Sequence, residues 1–365
     1  MLRRIGREDW KKMNKIQTNG VRYIGSKNKV IPKILEVIND LDIKNKTFID
    51  VFTGTTRVAQ AFKSDGWKVL TSDLSWASEA YANNFICSVD NSHLQQHIDH
   101  LNTLDGYAGW LTNNYCDATG TGDSIVRVWK RKNGMKADAM RDCIEALDIP
   151  RKDKMCLITS LIFSLDRIDN TVGIQQAYLK HWASKRSDKD LVLSLLPNVE
   201  GTKGKHIVGD ALKISYPNYE VAYLDPPYTA ADYSTYYHIW DSVVAWDKPK
   251  VSLKTNRRVD RVKSSDLHDK NMKSPWYSKK TALKATKELI DRLPVRYCVF
   301  SYSDEGLIPR EDMEKLCMAY KNVQWHQKEH DRHVMSRIGL GGNEAKNAGK
   351  KKLSEWIIVI EKETK

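Results

Sequence analysis

The chain has 365 residues, with 59 Lys and Arg against 46 Asp and Glu, for a formal charge of +13. That length allows one large domain with a smaller one inserted or appended, and the basic balance favours a polyanionic partner, nucleic acid before membrane surface. No apolar stretch approaches the roughly 18–20 residues a bilayer span needs, the charged start has no apolar segment typical of a secretory signal, and six scattered cysteines fit a reducing, intracellular, cytoplasmic setting.

Residues 1–20 read as a loose basic arm. In Arg22-Tyr23-Ile24-Gly25-Ser26-Lys27, Gly25 permits close backbone approach, Tyr23 offers a stacking face and Lys27 a cation for a carboxylate; a plain helix start capped by Ser26 is the alternative. Apolar residues at 30, 31, 34, 35, 37, 38 and 41 predict a helix over 29–41. Thr47 to Phe52 then predicts a short buried strand, Thr53-Gly54-Thr55 a turn, and residues 56–63 a helix. A second strand over 68–72 ends at Asp73, which completes the βαβ opening of a nucleotide-binding α/β fold.

Gly54 lets the backbone turn tightly at the start of a helix, whose free N–H groups face a ligand, although a plain βα turn has the same look. Neither the full dinucleotide fingerprint nor the phosphate loop with its Lys is present. An acid about 20 residues after such a turn can accept from both ribose hydroxyls, so Asp73 favours an adenosine-bearing ligand, or else caps the next helix. Residues 75 to about 200 break the alternation and read as largely helical, with Arg and Lys throughout. Strand-like segments resume at 206–208, 221–224, 296–301, 323–326 and 356–360. Asp210, after the first of these, is either a helix cap or an acceptor for an adenine amino group. The stretches 245–278, with Arg257, Arg258 and Arg261, and 327–352, with Gly341-Gly342 and a Lys run, read as basic surface excursions.

Asp225-Pro226-Pro227-Tyr228 closes the apolar run Val221–Leu224. Two prolines donate no backbone hydrogen bond, so the strand stops there. A carboxylate, a bare carbonyl and a ring then stand at the carboxyl end of a buried strand, where ligands bind in open α/β sheets. The pair of acceptors suits an exocyclic amino group on a stacked base; a strand-ending turn is the alternative. His93, His97 and His100, and His326, His330 and His333, have metal-like spacing but no neighbouring Cys pair or H-E-x-x-H pattern, so no metal is expected.

In chain order, Tyr23-Ile24-Gly25-Ser26-Lys27, Asp50-Val51-Phe52-Thr53-Gly54, Asp73, Gly209-Asp210 and Asp225-Pro226-Pro227-Tyr228 resemble the Dam-like adenine-specific DNA methyltransferases. Asp169–Gly173 with Ala177–Lys180, and Ser301–Gly306, are also similar to members of that family. The resemblance runs from about residue 21 to 360, and its ordered set of short motifs is what makes it specific. It implies an α/β fold of the S-adenosylmethionine-dependent methyltransferases: a seven-stranded, mostly parallel sheet with helices on both faces, one antiparallel strand near the edge, and a helical target-recognition insertion. It divides the chain into the arm 1–20, a catalytic domain of 21–74 and 206–365, and a recognition region of 75–205.

By that resemblance Tyr23, Gly25, Lys27, Asp50, Phe52, Gly54, Asp73, Asp210 and Asp225 hold S-adenosylmethionine, with Lys27 towards its carboxylate. Asp225, Pro226, Pro227 and Tyr228 are then catalytic, and no metal takes part. The turn departs from the family's Phe-x-Gly-x-Gly, with Thr56 at the second glycine position. The implied reaction is methylation of the N6 amine of an adenine flipped out of double-stranded DNA, with a cognate restriction endonuclease as a further partner. Cytosine N4, an RNA substrate and a non-catalytic DNA-binding module are the alternatives. Asp225 favours adenine, since a serine is more usual there for cytosine.

Overall fold

A computed structural model of the chain describes residues 17–23, 27–117, 128–175, 179, 181–182, 185–229, 232–262, 265–267, 269, 274–331 and 352–362. Gly25, the arm up to residue 16 and the Gly341-Gly342 stretch lie outside them. Seven strands form one sheet: β1 (Thr47–Asp50), β2 (Lys68–Asp73), β3 (Lys205–Val208), β4 (Tyr219–Leu224), β5 (Val295–Ser303), β6 (Asn322–Asp331) and β7 (Lys352–Glu361). Their order is β3-β2-β1-β4-β5-β7-β6. The first five positions are parallel, and β7 runs antiparallel to both its neighbours. This is the mostly parallel sheet that the motif order implied.

Side chains along the strands alternate between two apolar clusters. Phe48, Val69, Val221, Tyr223, Val299, Ile357 and Val359 enter one; Ile49, Leu70, Ala222, Leu224, Phe300, Ile358 and Ile360 enter the other. A strand covered on both faces reads as a continuous apolar run, which is why these segments stand out in the sequence. The first cluster is built with α1 (Ile31–Asn39), α2 (Arg57–Ser64), α3 (Trp76–Ala82), α4 (Gln95–Thr103), α5 (Trp110–Tyr115), α6 (Arg131–Ala146), α7 (Arg151–Ile168), α8 (Tyr233–Tyr236) and α9 (His238–Ala245). The second is built with α10 (Lys279–Arg292) and α11 (Arg310–Cys317). In α1 the buried side chains Ile31, Ile34, Leu35, Val37 and Ile38 recur at helical spacing, and Pro32 sits in the first turn, where its missing N–H costs nothing.

The chain lays β1, β2 and β3 outward in one direction, returns to β4 beside β1, and continues the other way through β5. The reversal falls between β1 and β4, where Asp50 lies opposite Tyr223. A crevice opens beyond strand ends at such a switch point. Asp50 closes β1 and Asp225 follows β4, so the topology alone brings their carboxylates to one place.

Three expectations need correction. The helical stretch after residue 75 ends at Ile168; among the described residues from 169 to 204 there is only the 3-10 turn Lys185–Asp188. Asp169 stops the helix by accepting from the Thr171 amide (3.1 Å) and hydroxyl (2.8 Å) and by pairing with Arg22 and Arg186. Such local side-chain bonds compete with helix continuation. Arg258 and Arg261, read as surface cations, are buried. Arg258 binds both oxygens of Asp260 (2.8 and 2.9 Å) and also Asp247 (2.7 Å), so it braces the loop. The ends of the expected 327–352 excursion are strand, since β6 runs to Asp331 and β7 starts at Lys352. No helix among the described residues is long and apolar enough to cross a membrane.

Candidate active site

The cleft at the switch point is lined by Tyr23, Lys27, Asp50, Phe52, Gly54, Asp73, Asp210, Asp225, Pro226, Pro227 and Tyr228. Every site residue expected from the sequence, apart from Gly25, which lies outside the described residues, therefore meets in one concavity.

The turn after β1 is fixed by two carboxylates. Asp50 accepts from the Thr53 hydroxyl (2.9 Å) and the Ala59 amide (3.2 Å), both on Oδ2, and so ties the turn to α2. Asp73 accepts from the Gly54 amide (2.8 Å) and the Ser75 amide (2.9 Å), which ties the same turn to the end of β2. Burial raises both acids, against the pull of these bonds, and Asp50 is pushed up to about 7. Gly54 has φ +49°, and a Cβ there would stand 3.8 Å from the Tyr23 ring, so backbone conformation rather than space favours glycine. Thr56 also lies in the left-handed region at φ +63°. The backbone thus follows a path suited to glycine although a β-branched residue stands there, and the Thr56 hydroxyl accepts from Gln60 (2.9 Å). Asp210 accepts from the Leu212 amide (3.0 Å) within a turn while lining the cleft; no helix follows it before β4, so it is not the helix cap that the sequence offered as one reading.

At the other side, Asp225 keeps 17% of its side chain exposed and pairs through Oδ1 with Lys27 Nζ at 2.9 Å. The same ammonium pairs with Glu355 at 2.8 Å, and Glu355 accepts from the Ser301 hydroxyl at 2.5 Å. Burial alone would lower the lysine, but the two carboxylates more than offset it and hold it well above its ordinary value. Burial pushes Asp225 up to about 6, against the pull of Lys27 and with the help of Glu355. Lys27, expected to face a ligand carboxylate, is thus engaged by two carboxylates of the protein. Its Nζ also lies 5.1 Å from the centre of the Tyr228 ring. Tyr228 meets Tyr302 edge-on at 5.9 Å, and its carbonyl accepts from the Leu307 amide (2.9 Å).

Aromatic rings form the remaining walls. Tyr23 stacks on Tyr237 at 4.3 Å and on Tyr233 at 5.8 Å, while Phe52 meets Trp276 edge-on at 4.9 Å. The Tyr277 hydroxyl accepts from the Tyr233 amide (3.2 Å). Trp276, Tyr277 and Glu355 were not singled out in the sequence. The first two sit in the three-residue 3-10 turn Pro275–Tyr277, which is too short to show a periodicity. Glu355 had a usable signal: it falls in the same strand register as the inward-facing Ile357 and Val359, where an acid is out of place.

An adenosine-bearing sulfonium fits these residues. Carboxylates at the ends of β2 and β3 can accept from hydroxyl and amino groups, the left-handed turn brings backbone close, and rings supply flat apolar walls. Among the described residues no group of three or more His, Cys, Asp or Glu side chains could hold a metal ion.

Known proteins share this sequence pattern. The chain is 25% identical over 355 residues to the type II methyltransferase M.NlaIII of Neisseria lactamica, covering 94% of this chain and 99% of that protein. It is 25% identical over 377 residues to the modification methylase LlaI of Lactococcus lactis subsp. lactis, and 28% over 314 residues to the modification methylase StsI of Streptococcus sanguinis. Those alignments take in 94% and 81% of this chain but only 55% and 46% of the relatives, so the chain spans about half their length. The family model for D12 class N6 adenine-specific DNA methyltransferases matches residues 23–333, from the stacked Tyr23 past Asp225-Pro226-Pro227-Tyr228, and the chain belongs to that family.

Proposed function

We propose that this protein is a site-specific DNA methyltransferase that moves a methyl group from S-adenosylmethionine to the N6 amine of an adenine flipped out of the duplex. Its setting is a restriction-modification system inside a prokaryotic or phage-infected cell, beside a cognate endonuclease. The observation that carries this reading is the position of Asp225-Pro226-Pro227-Tyr228 at the β1/β4 switch point, in one cleft with Asp73 and Gly54.

The adenine amine is a poor nucleophile because its lone pair is delocalised into the ring. Asp225 and the Pro226 carbonyl accept its two hydrogens and favour a pyramidal nitrogen with a directed lone pair. The two prolines, with fixed φ and no N–H, hold that carbonyl in place. Tyr228, set edge-on against Tyr302, offers its face to the flipped base. S-adenosylmethionine would supply the methyl group on a sulfonium that departs as a neutral sulfide, and the positive charge passed to the nitrogen would be discharged as one proton towards Asp225 and solvent. Asp73 accepts from ribose hydroxyls, Asp210 and Phe52 meet the adenine end, and Tyr23, Gly25, Asp50 and Gly54 shape the approach. Lys27 stands between the two halves, as counter-ion to Asp225. Alignment of nitrogen, methyl and leaving sulfur accounts for much of the rate. Residues 75–205 choose the DNA sequence, and the +13 charge supplies the attraction to phosphate.

The direct test is incubation with tritiated S-adenosylmethionine and a panel of duplex DNAs, followed by digestion. Label in N6-methyladenine within one sequence is expected. Label in N4-methylcytosine, label confined to RNA, or tight DNA binding with no label overturns the reading.

A further inference from the structure

Asp225 faces charged and titratable groups from every element around it. Lys27 comes from the 3-10 turn before α1, Asp50 from the end of β1, Tyr223 from β4, Tyr228 from the following loop, Tyr233 from α8 and Glu355 from β7. Lys27 is the only cation of that set, and it is shared between two acids. Its ammonium lies 2.9 Å from Asp225 and 2.8 Å from Glu355, with only 7% of the lysine side chain exposed. Glu355 is equally buried and is pinned from β5 by the Ser301 hydroxyl.

We infer that Glu355 is a positioning residue for methyl transfer: with Ser301 it holds the Lys27 ammonium against one oxygen of Asp225, so that the other oxygen stays available to the target amine. This rests on the reaction proposed for Asp225. Without the Glu355 charge, the ammonium has one anionic partner among these groups and is free to settle across both Asp225 oxygens, which would occupy the acceptor the amine needs. Lys27 is needed too, because without it two buried carboxylates would face each other and the pair would hold a proton. The two residues therefore act on Asp225 in opposite senses.

Glu355→Gln and Lys27→Met separate this role from a structural one. The carboxyl of Asp225 is followed by 13C NMR in the protein without cofactor or DNA, its signal identified by its loss in Asp225→Asn. The acidic limb of kcat/KM for methyl transfer is measured alongside. In Glu355→Gln the Asp225 midpoint and the acidic limb both move to lower pH, and kcat falls by an amount on the order of 10²-fold with KM for DNA little changed. In Lys27→Met both move to higher pH. Glu355→Asp, which keeps the charge, recovers part of kcat and holds the midpoint close to wild type. An Asp225 midpoint that stays put in Glu355→Gln, or that moves the same way in both variants, overturns the inference. If wild type transfers no methyl group, the proposed reaction fails, while the NMR midpoints still decide whether Glu355 and Lys27 oppose each other at Asp225. Should Glu355→Gln not fold, Ser301→Ala is read in its place; a midpoint shift opposite to that of Lys27→Met supports the inference, and none overturns it.

Discussion

At the end of the cleft proposed for the cofactor, Asp50, Asp73 and Asp210 have their carboxylates met by backbone amides and a hydroxyl. At the end proposed for the target base, Asp225 is met by an ammonium that it shares with Glu355. Amide partners fix a carboxylate's direction and belong to the fold, so they define shape. An ammonium partner fixes its charge and can be re-shared, so it defines reactivity. The same residue type thus does two kinds of work within one concavity.

Removing Asp225 breaks the comparison most deeply. Asp225→Ala is expected to lower kcat by at least roughly 10²–10³-fold while duplex binding survives, because an acceptor aimed at the reacting amine is gone. Gel-shift and methyl-transfer assays on the same preparation check this, and wild-type turnover in the variant would sink the mechanism.

Asp73→Ala should act on the other column of the kinetics. Hydrogen bonds to a charged group contribute about 1.5–3 kcal/mol each, so loss of the ribose acceptor is expected to weaken S-adenosylmethionine binding about 10- to 100-fold. Calorimetric titration reads it; a fall in kcat with unchanged affinity would place Asp73 at the base end instead.

Asp50 sharpens the contrast through pH. Its folded value of about 7 lies above the usual carboxylate range. An acid raised on folding adds stability that is complete below its unfolded value and lost as pH rises through its folded one. Asp50→Asn removes that dependence, and its amide oxygen can accept both bonds now made to Oδ2. The variant's Tm should therefore gain on wild type as pH rises from about 4 towards about 7 and then level off, and a difference that is flat across that range would refute the assignment.

The smallest effect is expected at Thr56→Gly. Relief of a left-handed β-branched residue is worth about 1–3 kcal/mol, and loss of the Gln60 bond and of buried methyl contact offsets about as much. A Tm within a few degrees of wild type is the expected result, and a large loss would show that the hydroxyl, not the backbone, dominates there.

The sequence was most readable where local pattern and burial agree. Strands β1, β2, β4, β5 and β7 carry apolar runs because both faces of the sheet are covered there, unlike the edge strands β3 and β6, and the turn, acid and double-proline motifs sit at strand ends, where topology gathers them. Readability failed where a partner that only the folded chain brings into contact, near or far in sequence, decides the outcome. Arg258 looks like a surface cation until Asp247 and Asp260 close around it. The helical pattern after Ile168 yields to Asp169 because Arg22, contributed from before β1, binds that carboxylate. Lys27 suggested a ligand partner because nothing near it in sequence announces Glu355.

The placement of β7 has a consequence for the making of the molecule. This strand is not an edge addition: it lies between β5 and β6, and β6 pairs with nothing else in the sheet. A ribosome must therefore release the strand that carries Glu355 before β6 can dock and before Lys27 finds its second partner. Contacts between such distant residues form late and slowly. A nascent chain without β7 already carries the Gly54 turn, Asp73 and the Asp-Pro-Pro-Tyr segment, yet it cannot hold the charge arrangement at Asp225. Addition of β7 to β5 and the closing of the Lys27–Glu355 pair are one event.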